Sequence, residues 1–345
     1  MPAPSPRSRC RAALLGVMIG DALAMPVHWY YDREALARDY GHVEDYLAPH
    51  GHHPDSWMDR YGNAPLETGI DIFHDQAPYW GQSGVHYHRN LHPGENTLNV
   101  RLLVLLMQSL IDNRGYLPDD YLQRLVRFMT TPGTHNDTYI DAYLRAFFGK
   151  YARGHALKDC GIEEKHLSGL IGLVPFIAAC GEDRDAARAS ALEHMHLTHR
   201  GPLMTEAAEL VMDLLLALRD GCPFPQAMSE LTRRRDSDLL KHAFEGWVER
   251  PDTEVADRET GTGCFLPEAL PLVFFLALKY HGRPEAGLVA NTNLGGNNAA
   301  RGAVLGALLG MANGGAAWPQ RWVEGLRSAP PGLVDAVAAF GAAKS

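Results

Sequence analysis

Glu95 and Asn96 place a carboxylate and an amide side by side at the predicted start of a helix, just before the apolar run 100–111. A carboxylate can act as a general base or stabilise a developing positive charge, and amides can hold ligand hydroxyl groups. The same pair also suits an ordinary helix start with an N-cap and a first-turn acid. Thr97 and Asn99 belong to this stretch, which is therefore a candidate site with a structural alternative.

A second polar turn lies near the C-terminus, where Gly295, Gly296, Asn297 and Asn298 precede an Ala- and Gly-rich helical pattern over 299–311. The N-terminus of a helix offers N–H donors and a positive dipole end, which suit phosphate or another anion. An ordinary capped core helix would show the same pattern, so both interpretations stay open here.

Small residues within 299–311 predict that this helix is central and buried. Gly302, Gly306 and Gly310 recur at helical spacing. Each costs about 1 kcal/mol relative to Ala inside a helix. Close approach of a neighbouring helix is the simplest compensation.

Residues 40–95 form a long irregular stretch that is rich in Gly, Pro, His and aromatic residues. We predict a structured lid segment over a pocket, because long irregular stretches in compact domains are usually functional and the aromatic content argues against disorder. His86, His88 and His92 could together ligate a transition metal. Neither a cysteine nor a carboxylate nearby completes that pattern, so metal binding by these histidines is the less favoured reading.

Helical patterns cover most of the remaining chain, and we find no convincing run of alternating strands. The predicted helices include 8–23, 138–151, 166–180, 236–248 and 267–280, with 249–263 as a loop. The fold class predicted is therefore all-α: a compact, orthogonal multi-helix bundle forming one domain over 1–345, with the lid segment at about 40–95.

Composition excludes several classes of partner. The net charge is −9 without a basic run, which argues against nucleic-acid binding. Five scattered cysteines without C-x-x-C spacing favour a reducing cytoplasm. We also expect no membrane partner, because we see no apolar run long enough to span a bilayer.

Five short motifs occur in an order that is typical of one enzyme family. They are GVMIGDALAMPVH from Gly16 to His28, GENT from Gly94 to Thr97, Thr198-His199, GCFLPEAL from Gly263 to Leu270, and NLGGNNAA from Asn293 to Ala300. Together they resemble the ADP-ribosylglycohydrolase family, which includes the dinitrogenase reductase-activating glycohydrolases. The resemblance spans nearly the whole chain and implies that family's all-α fold.

The chain departs from the family at its metal-binding motifs. In the family, aspartates of T-D-D-T and of D-T-D-T bind two Mg²⁺ ions beside the ribose. Here the first pair is Glu95 and Asn96, the second is Asn297 and Ala299, and His28 replaces a glutamate. One carboxylate cannot balance two divalent cations. We therefore expect no dinuclear site and no firmly bound cofactor, with at most one weakly held Mg²⁺ near Glu95.

The resemblance and the retained polar residues favour a hydrolase that cleaves a ribosyl-type glycosidic bond without that metal pair. Glu95 is the predicted base or stabiliser, His28 or a lid histidine the acid, and Asp21 a further catalytic residue. The predicted ligand is a small ribosyl or nucleotide compound. The residues expected to bind it are Asn96, Thr97, Asn99, Gly295, Gly296, Asn297 and Asn298.

Two other functions remain open at this stage. One is a non-catalytic protein that binds ADP-ribose or a nucleotide in a retained pocket. The other is a structural role, because jellyfish lens crystallins resemble the same family. Polar residues at three of the four altered metal-binding positions favour a retained site, since decay would more often leave apolar side chains.

Overall fold

The structure is a computed structural model that describes residues 3–58 and 69–340. Within these ranges the chain is mainly helical, which confirms the all-α prediction. The α-helices are α1 Pro6–Ala24, α2 Arg33–Tyr40, α3 Leu98–Asp112, α4 Pro118–Thr130, α5 Ala142–Ala152, α6 Val174–Ala179, α7 Arg184–His196, α8 Pro202–Arg219, α9 Phe224–Arg234, α10 Phe244–Trp247, α11 Asp252–Val255, α12 Leu266–Tyr280, α13 Pro284–Asn293, α14 Asn298–Asn313, α15 Gln320–Gly325 and α16 Leu333–Phe340.

Short strands form two small pairs beside the helices. β1 (His52–Trp57) pairs antiparallel with β2 (Ser83–Val85). β3 (Ile162–Glu163) pairs parallel with β4 (His199–Arg200). Both pairs are too short to make a sheet layer, so helix packing defines the fold.

The centre of the bundle is the pair of helices α1 and α14, as the small residues of 299–311 predict. Every residue of α14 from Asn298 to Met311 is buried. An added Cβ at Gly306 would lie 2.0 Å from the carbonyl oxygen of Gly16, and one at Gly302 would lie 2.5 Å from that of Gly20. The two backbones therefore touch along a seam that only glycine allows.

α1 differs from the expectation that the chain has no apolar stretch long enough for a membrane. Residues 6–27 are long and apolar enough to cross one by length and composition alone, and 94% of their most apolar window is buried within the protein. The apolar character of α1 is thus accounted for by its packing against α14 at the core.

The lid segment is an irregular region with a little regular structure. It contains the β1–β2 pair and a 3₁₀ helix at His74–Tyr79. Residues 59–68 of the predicted lid lie outside the described residues. Tyr87 and Tyr139 each pack edge-on against Trp29, with ring centroids 4.5 and 4.7 Å apart. The lid segment is thus joined to the chain just after α1 by aromatic packing.

Two predicted helices are shorter than expected, for local reasons. The helix predicted at 166–180 is a 3₁₀ segment, Leu167–Leu173, followed by α6. Pro175 lacks the N–H that would continue the earlier turn. The helix predicted at 138–151 begins only at Ala142. The residues before it form a loop, in which Asp137 accepts from the N–H of Leu98 at the start of α3 and more weakly from the N–H of Tyr139 in its own turn.

Two predictions near α12 were also wrong in detail. The predicted helix 236–248 is only a 3₁₀ turn at Asp238–Leu240 plus α10, because the hydroxyl of Ser237 accepts from the N–H of Leu239 and closes a separate turn. The predicted loop 249–263 contains α11 and a π-helical turn at Ala256–Thr260. Arg250 pairs with Glu254 and Glu259 across these turns.

Candidate active site

Asp21 joins the C-terminal part of α1 to the start of α3. It is fully buried, and its carboxylate accepts hydrogen bonds from Asn96 Nδ2 (2.9 Å), Thr97 N (2.8 Å) and Thr97 Oγ1 (2.7 Å). Burial raises the pKa of Asp21 to about 6, although these three donors act in the opposite direction. Both oxygens are therefore engaged in holding the two helices together.

A chain of buried polar groups links the turn before α14 to the start of α3. His28 Nε2 lies 2.8 Å from Asn297 Oδ1, and His28 Nδ1 lies 2.7 Å from His88 Nε2. His88 Nδ1 lies 2.7 Å from Asp137 Oδ1, whose second oxygen accepts from Leu98 N at 2.8 Å. We call His28, His88, Asp137 and Asn297 the histidine relay.

The contacts of the histidine relay assign its protons. An amide oxygen only accepts, so His28 donates from Nε2 and its Nδ1 must accept from His88. His88 then donates from both nitrogens, as a cation beside the Asp137 carboxylate. Burial holds the pKa of His28 well below its usual value. Burial also disfavours the His88 cation, but Asp137 outweighs it and raises the pKa of His88.

Glu95 lies outside the histidine relay. It is half-buried, and its Oε2 accepts from His92 N (2.8 Å) and from Asn136 Nδ2 (2.9 Å). Its own N–H donates to the carbonyl of His92 at 3.0 Å. The carboxylate thus closes the turn before α3, while the adjacent Asn96 turns inward to Asp21.

The turn before α14 does not present the row of free N–H donors expected there. The N–H groups of Gly295, Gly296, Asn297 and Asn298 all donate to backbone carbonyls. The side-chain amide of Asn298 donates to the carbonyl of Thr292 at 2.9 Å, and its buried Oδ1 lacks a partner among the described residues. These four N–H groups are therefore used by the backbone of the turn and its neighbours and are not available to an anion.

Arg301 stabilises this turn by hydrogen bonds. It is fully buried, and its guanidinium donates to Asn291 Oδ1 (2.7 Å) and to the carbonyl of Gly295 (2.7 Å). Burial lowers the pKa of Arg301 to about 9. The two glycines before Asn297 are held in left-handed backbone conformations, with φ of 66° and 65°.

A small cavity lies on the far side of α3. Asn99 lines it and donates from Nδ2 to Asp141 Oδ2 at 2.7 Å, while Tyr143 donates to Asn99 Oδ1 at 2.8 Å. Ser168 and His199 line its other wall. Its volume is about 40 Å³. Since a water needs roughly 10–15 Å³ by this measure, the cavity has room for a few waters rather than for a nucleotide.

Asp141 is the partly exposed carboxylate that accepts from Asn99, a residue that lines this cavity. Burial raises the pKa of Asp141, although His166 and the Asn99 amide act against it. His88 and Asp137 also act electrostatically on Asp141. The Asn99 end of α3 therefore joins a carboxylate of raised basicity to a solvent-sized space.

Asp137 and Asp141 were not among the predicted site residues. The sequence around them is typical of an ordinary helix start, so it did not indicate that both side chains bond to residues at the start of α3.

The lid histidines do not converge on one point. His86 Nε2 lies 2.9 Å from the carbonyl oxygen of Pro26, and His86 Nδ1 accepts from His88 N. His88 is engaged in the histidine relay, and His92 is exposed. Across residues 3–58 and 69–340, no group of three or more His, Cys, Asp or Glu side chains is arranged to hold a metal ion.

Comparisons with known proteins agree with this architecture. The family model described as ADP-ribosylglycohydrolase matches residues 2–343. An uncharacterized protein from Archaeoglobus fulgidus is 24% identical over 328 residues, covering 92% of this chain and 91% of that protein. A solved structure described as an ADP-ribosylglycohydrolase-related protein complex has a TM-score of 0.64 at 22% identity, covering 98% and 99% of the two chains. The chain belongs to the ADP-ribosylglycohydrolase family.

Proposed function

We propose that this protein hydrolyses a ribosyl-type glycosidic bond of an ADP-ribosyl or related small substrate, without the family's two-magnesium site. Family membership supports the reaction class. The observation that carries the proposal for this chain is the Asp141 carboxylate, which is partly exposed and held by Asn99 at the edge of a water-sized cavity.

Cleavage at a ribosyl carbon passes through an oxocarbenium-like transition state. A carboxylate can stabilise that positive charge, or it can act as the base that activates the attacking water. Asp141 suits this role because its raised pKa makes it a better base near neutral pH. Glu95, the residue predicted from the sequence, is occupied by Asn136 and the His92 N–H. We therefore assign the carboxylate role to Asp141 and keep Glu95 as the alternative to be tested.

The cavity beside Asn99 fits an attacking water. The ribosyl ring would bind outside it, across the partly exposed edge formed by Asn99 and Asp141. Tyr143 and Asn99 orient the water, and Asp141 accepts its proton. The His88–Asp137 pair contributes a fixed cation and anion within electrostatic reach of Asp141.

The absence of a magnesium pair is supported by what the residues at the family's metal positions do. Asn96 turns its NH₂ to Met18 O and Asp21, and the Asn297 oxygen is used by His28. Ala299 has no donor atom, and Glu95 closes its own turn. Two Mg²⁺ ions need several oxygen ligands with carboxylate charge. These residues do not fit that requirement, so the proposed reaction uses no metal ion.

A reducing compartment such as the cytoplasm is part of the same proposal. The five cysteines are all unpaired, which agrees with such a setting. The expected ligand is a small ribosyl compound rather than a nucleic acid, because the net charge is −9.

A non-catalytic binding role is the second candidate. It is favoured by the burial of the predicted centre: the Asp21 carboxylate is taken up by Asn96 and Thr97, and both ring nitrogens of His28 are taken up by His88 and Asn297. Such a protein would bind the ribosyl compound at the partly exposed edge formed by Asn99 and Asp141 and would not hydrolyse it.

The test is turnover of the wild-type protein, Asp141→Asn and Glu95→Gln on a panel of O- and N-linked ADP-ribosyl peptides, with free ADP-ribose measured by chromatography. We expect Asp141→Asn to lose about 10²–10⁴-fold in rate, as for loss of a general base, and Glu95→Gln to stay close to wild type. The two variants are matched, because each replaces a half-buried acid by its amide.

Loss in Glu95→Gln with full activity in Asp141→Asn would return the role to Glu95. Absence of turnover by the wild type on every peptide, combined with binding of ADP-ribose in calorimetry, would replace the hydrolase by the binding protein.

A further inference from the structure

An open cavity lies where the end of α7 meets the start of α8. Its volume is about 530 Å³, which is within the range of roughly 300–1,000 Å³ that small-molecule sites occupy. It shares no lining residue with the cavity beside Asn99. Its polar lining consists of Lys158, Glu193, His196, Arg200 and Thr205. We call it the Arg200 cavity.

Arg200 is the half-buried cation of this cavity, and the backbone holds it in place. Its Nε–H donates to the His196 carbonyl at 3.0 Å, and its Nη2 donates to the Lys158 carbonyl at 2.6 Å. These two contacts leave most of the five N–H donors of the guanidinium for another acceptor. Because the side chain is already ordered, binding an acceptor there costs little further conformational entropy.

The charge of Arg200 is not balanced by a neighbouring carboxylate. In the part of the chain that the structure describes, neither Arg200 nor the exposed Lys158 forms an ion pair. By contrast, Arg235 pairs with both Asp213 and Glu209. A half-buried cation without a counter-charge is a favourable position for an external anion.

His196 and Thr205 are neutral parts of the cavity wall. The Thr205 hydroxyl donates to the Gly201 carbonyl at 3.1 Å, so its oxygen accepts from His196 Nε2 at 2.9 Å. Burial lowers the pKa of His196, and the Arg200 cation lowers it further. An anion in the cavity would therefore be held by Arg200 and Lys158.

Two acids near the cavity limit its long-range attraction for anions. Glu193 lines the cavity and is exposed. Glu163 lies beside Gly201, where an added Cβ would meet Glu163 Cγ at 3.1 Å. The net charge of the chain, −9, acts in the same direction. Recognition of an anion must therefore come from direct contact with the two cations rather than from a wide positive field.

We propose that the Arg200 cavity binds a phosphorylated small molecule through its phosphate group. Arg200 contacts two phosphate oxygens, because a guanidinium matches that geometry with two parallel hydrogen bonds, and Lys158 contacts a third. The two cations balance the charge of about −2 that a phosphomonoester carries near neutral pH. A carboxylate ligand would need only one of them. The site does not depend on the proposed glycosidic reaction, because it shares no residue with Asn99 or Asp141.

The test is calorimetric titration of the full chain at low ionic strength with inorganic phosphate as the probe and acetate as the comparison. We expect one phosphate per chain and binding of acetate at least about 10-fold weaker. Arg200→Gln should weaken phosphate binding by about 10-fold or more, because hydrogen bonds to a charged group are lost. Lys158→Gln should weaken it by about 3-fold, as for an exposed charge.

Arg233→Gln is the matched control for Arg200→Gln. Arg233 is an exposed arginine that also donates from Nε to a backbone carbonyl, that of Ser229, but it does not line the cavity. Its variant removes the same charge and should bind phosphate like the wild type. Equal affinity in Arg200→Gln and Arg233→Gln would overturn the proposal, and so would a wild type that binds no phosphate or binds acetate equally well.

Glu193→Gln separates binding in the cavity from a general effect on folding. It removes a negative charge from the cavity wall, so phosphate should bind about 3-fold tighter, a change that unfolding cannot produce. The Glu193 and Lys158 side chains are both exposed, so their variants should melt like the wild type. They decide the matter if Arg200→Gln melts early, and unchanged phosphate affinity in both would contradict the assignment.

Discussion

Asp21 is the side chain whose amide variant we expect to damage stability most. In Asp21→Asn, an NH₂ group would face the donors of Asn96 or Thr97, all of them buried. A buried donor left unsatisfied costs about 1–3 kcal/mol. We therefore expect Asp21→Asn to lower the free energy of unfolding by about 3 kcal/mol, measured by urea denaturation.

Asp236→Asn is the control for that measurement. The Asp236 side chain is 91% exposed, so its neutralisation should change the unfolding free energy by less than about 0.5 kcal/mol. If Asp21→Asn behaved like this control, the carboxylate would not be the clamp between α1 and α3. Its predicted catalytic role would then regain weight.

His166 gives the protein a pH-dependent contribution to stability, and its Nδ1 lies 2.5 Å from Glu164 Oε1. Its folded pKa of about 10 lies above the ordinary value of 6.5, so the charged form is favoured in the folded state. The contribution is therefore fully present below pH 6.5 and is lost as the pH rises through 10. We expect the stability gap between wild type and Glu164→Gln to shrink between neutral pH and pH 10 in urea titrations. A gap independent of pH would show that the ion pair does not set it.

The helix-start pattern and the family motifs pointed to four polar side chains that the structure buries in two groups near the start of α3. Asp21 bonds to Asn96 in one group, and His28 bonds to Asn297 in the histidine relay. His88 and Asp137 join the histidine relay through side-chain contacts that span 60 and 49 positions of the chain. Such pairings depend on how helices pack, so local spacing could not reveal them.

At the scale of elements, the seam between α1 and α14 is the contact that most strictly requires glycine. A methyl group at Gly306 would press on the Gly16 backbone, which cannot yield without separating the two central helices. We expect Gly306→Ala to destabilise the protein by about 1–3 kcal/mol in urea denaturation, despite its better helix propensity.

Gly282→Ala is the matched control for Gly306→Ala. Its added Cβ would meet nothing within 4 Å, and its backbone φ is not positive. It should leave the unfolding free energy almost unchanged. A neutral Gly306→Ala would mean that the seam is looser than the contact distances state.

Element boundaries were predictable where periodicity was strong and failed where polar side chains reach other elements. α1, α12 and α14 match their apolar patterns within a few residues. Residues 138–141, the predicted start of the helix at 138–151, do not, because Asp137 caps α3 and Asp141 binds Asn99. A cap sequence does not say which helix it will cap, and this is the physical reason for the miss.

At the scale of the whole molecule, the all-α bundle followed from the sequence because helical periods cover most of the chain and its motifs share one family order. The candidate site followed only in part. The water-sized cavity arises where α3, α5 and the 168–172 segment meet. Because the three segments are far apart in the sequence, no local sequence pattern predicts that they meet.

The most direct test of the account is turnover of an ADP-ribosyl peptide by the dialysed wild-type protein, with and without excess chelator, together with metal analysis of the same sample. We predict that the chelator leaves the rate of ADP-ribose release unchanged and that fewer than two Mg²⁺ ions bind per chain after dialysis in excess Mg²⁺. Two ions per chain, with activity abolished by the chelator and restored by Mg²⁺, would contradict it.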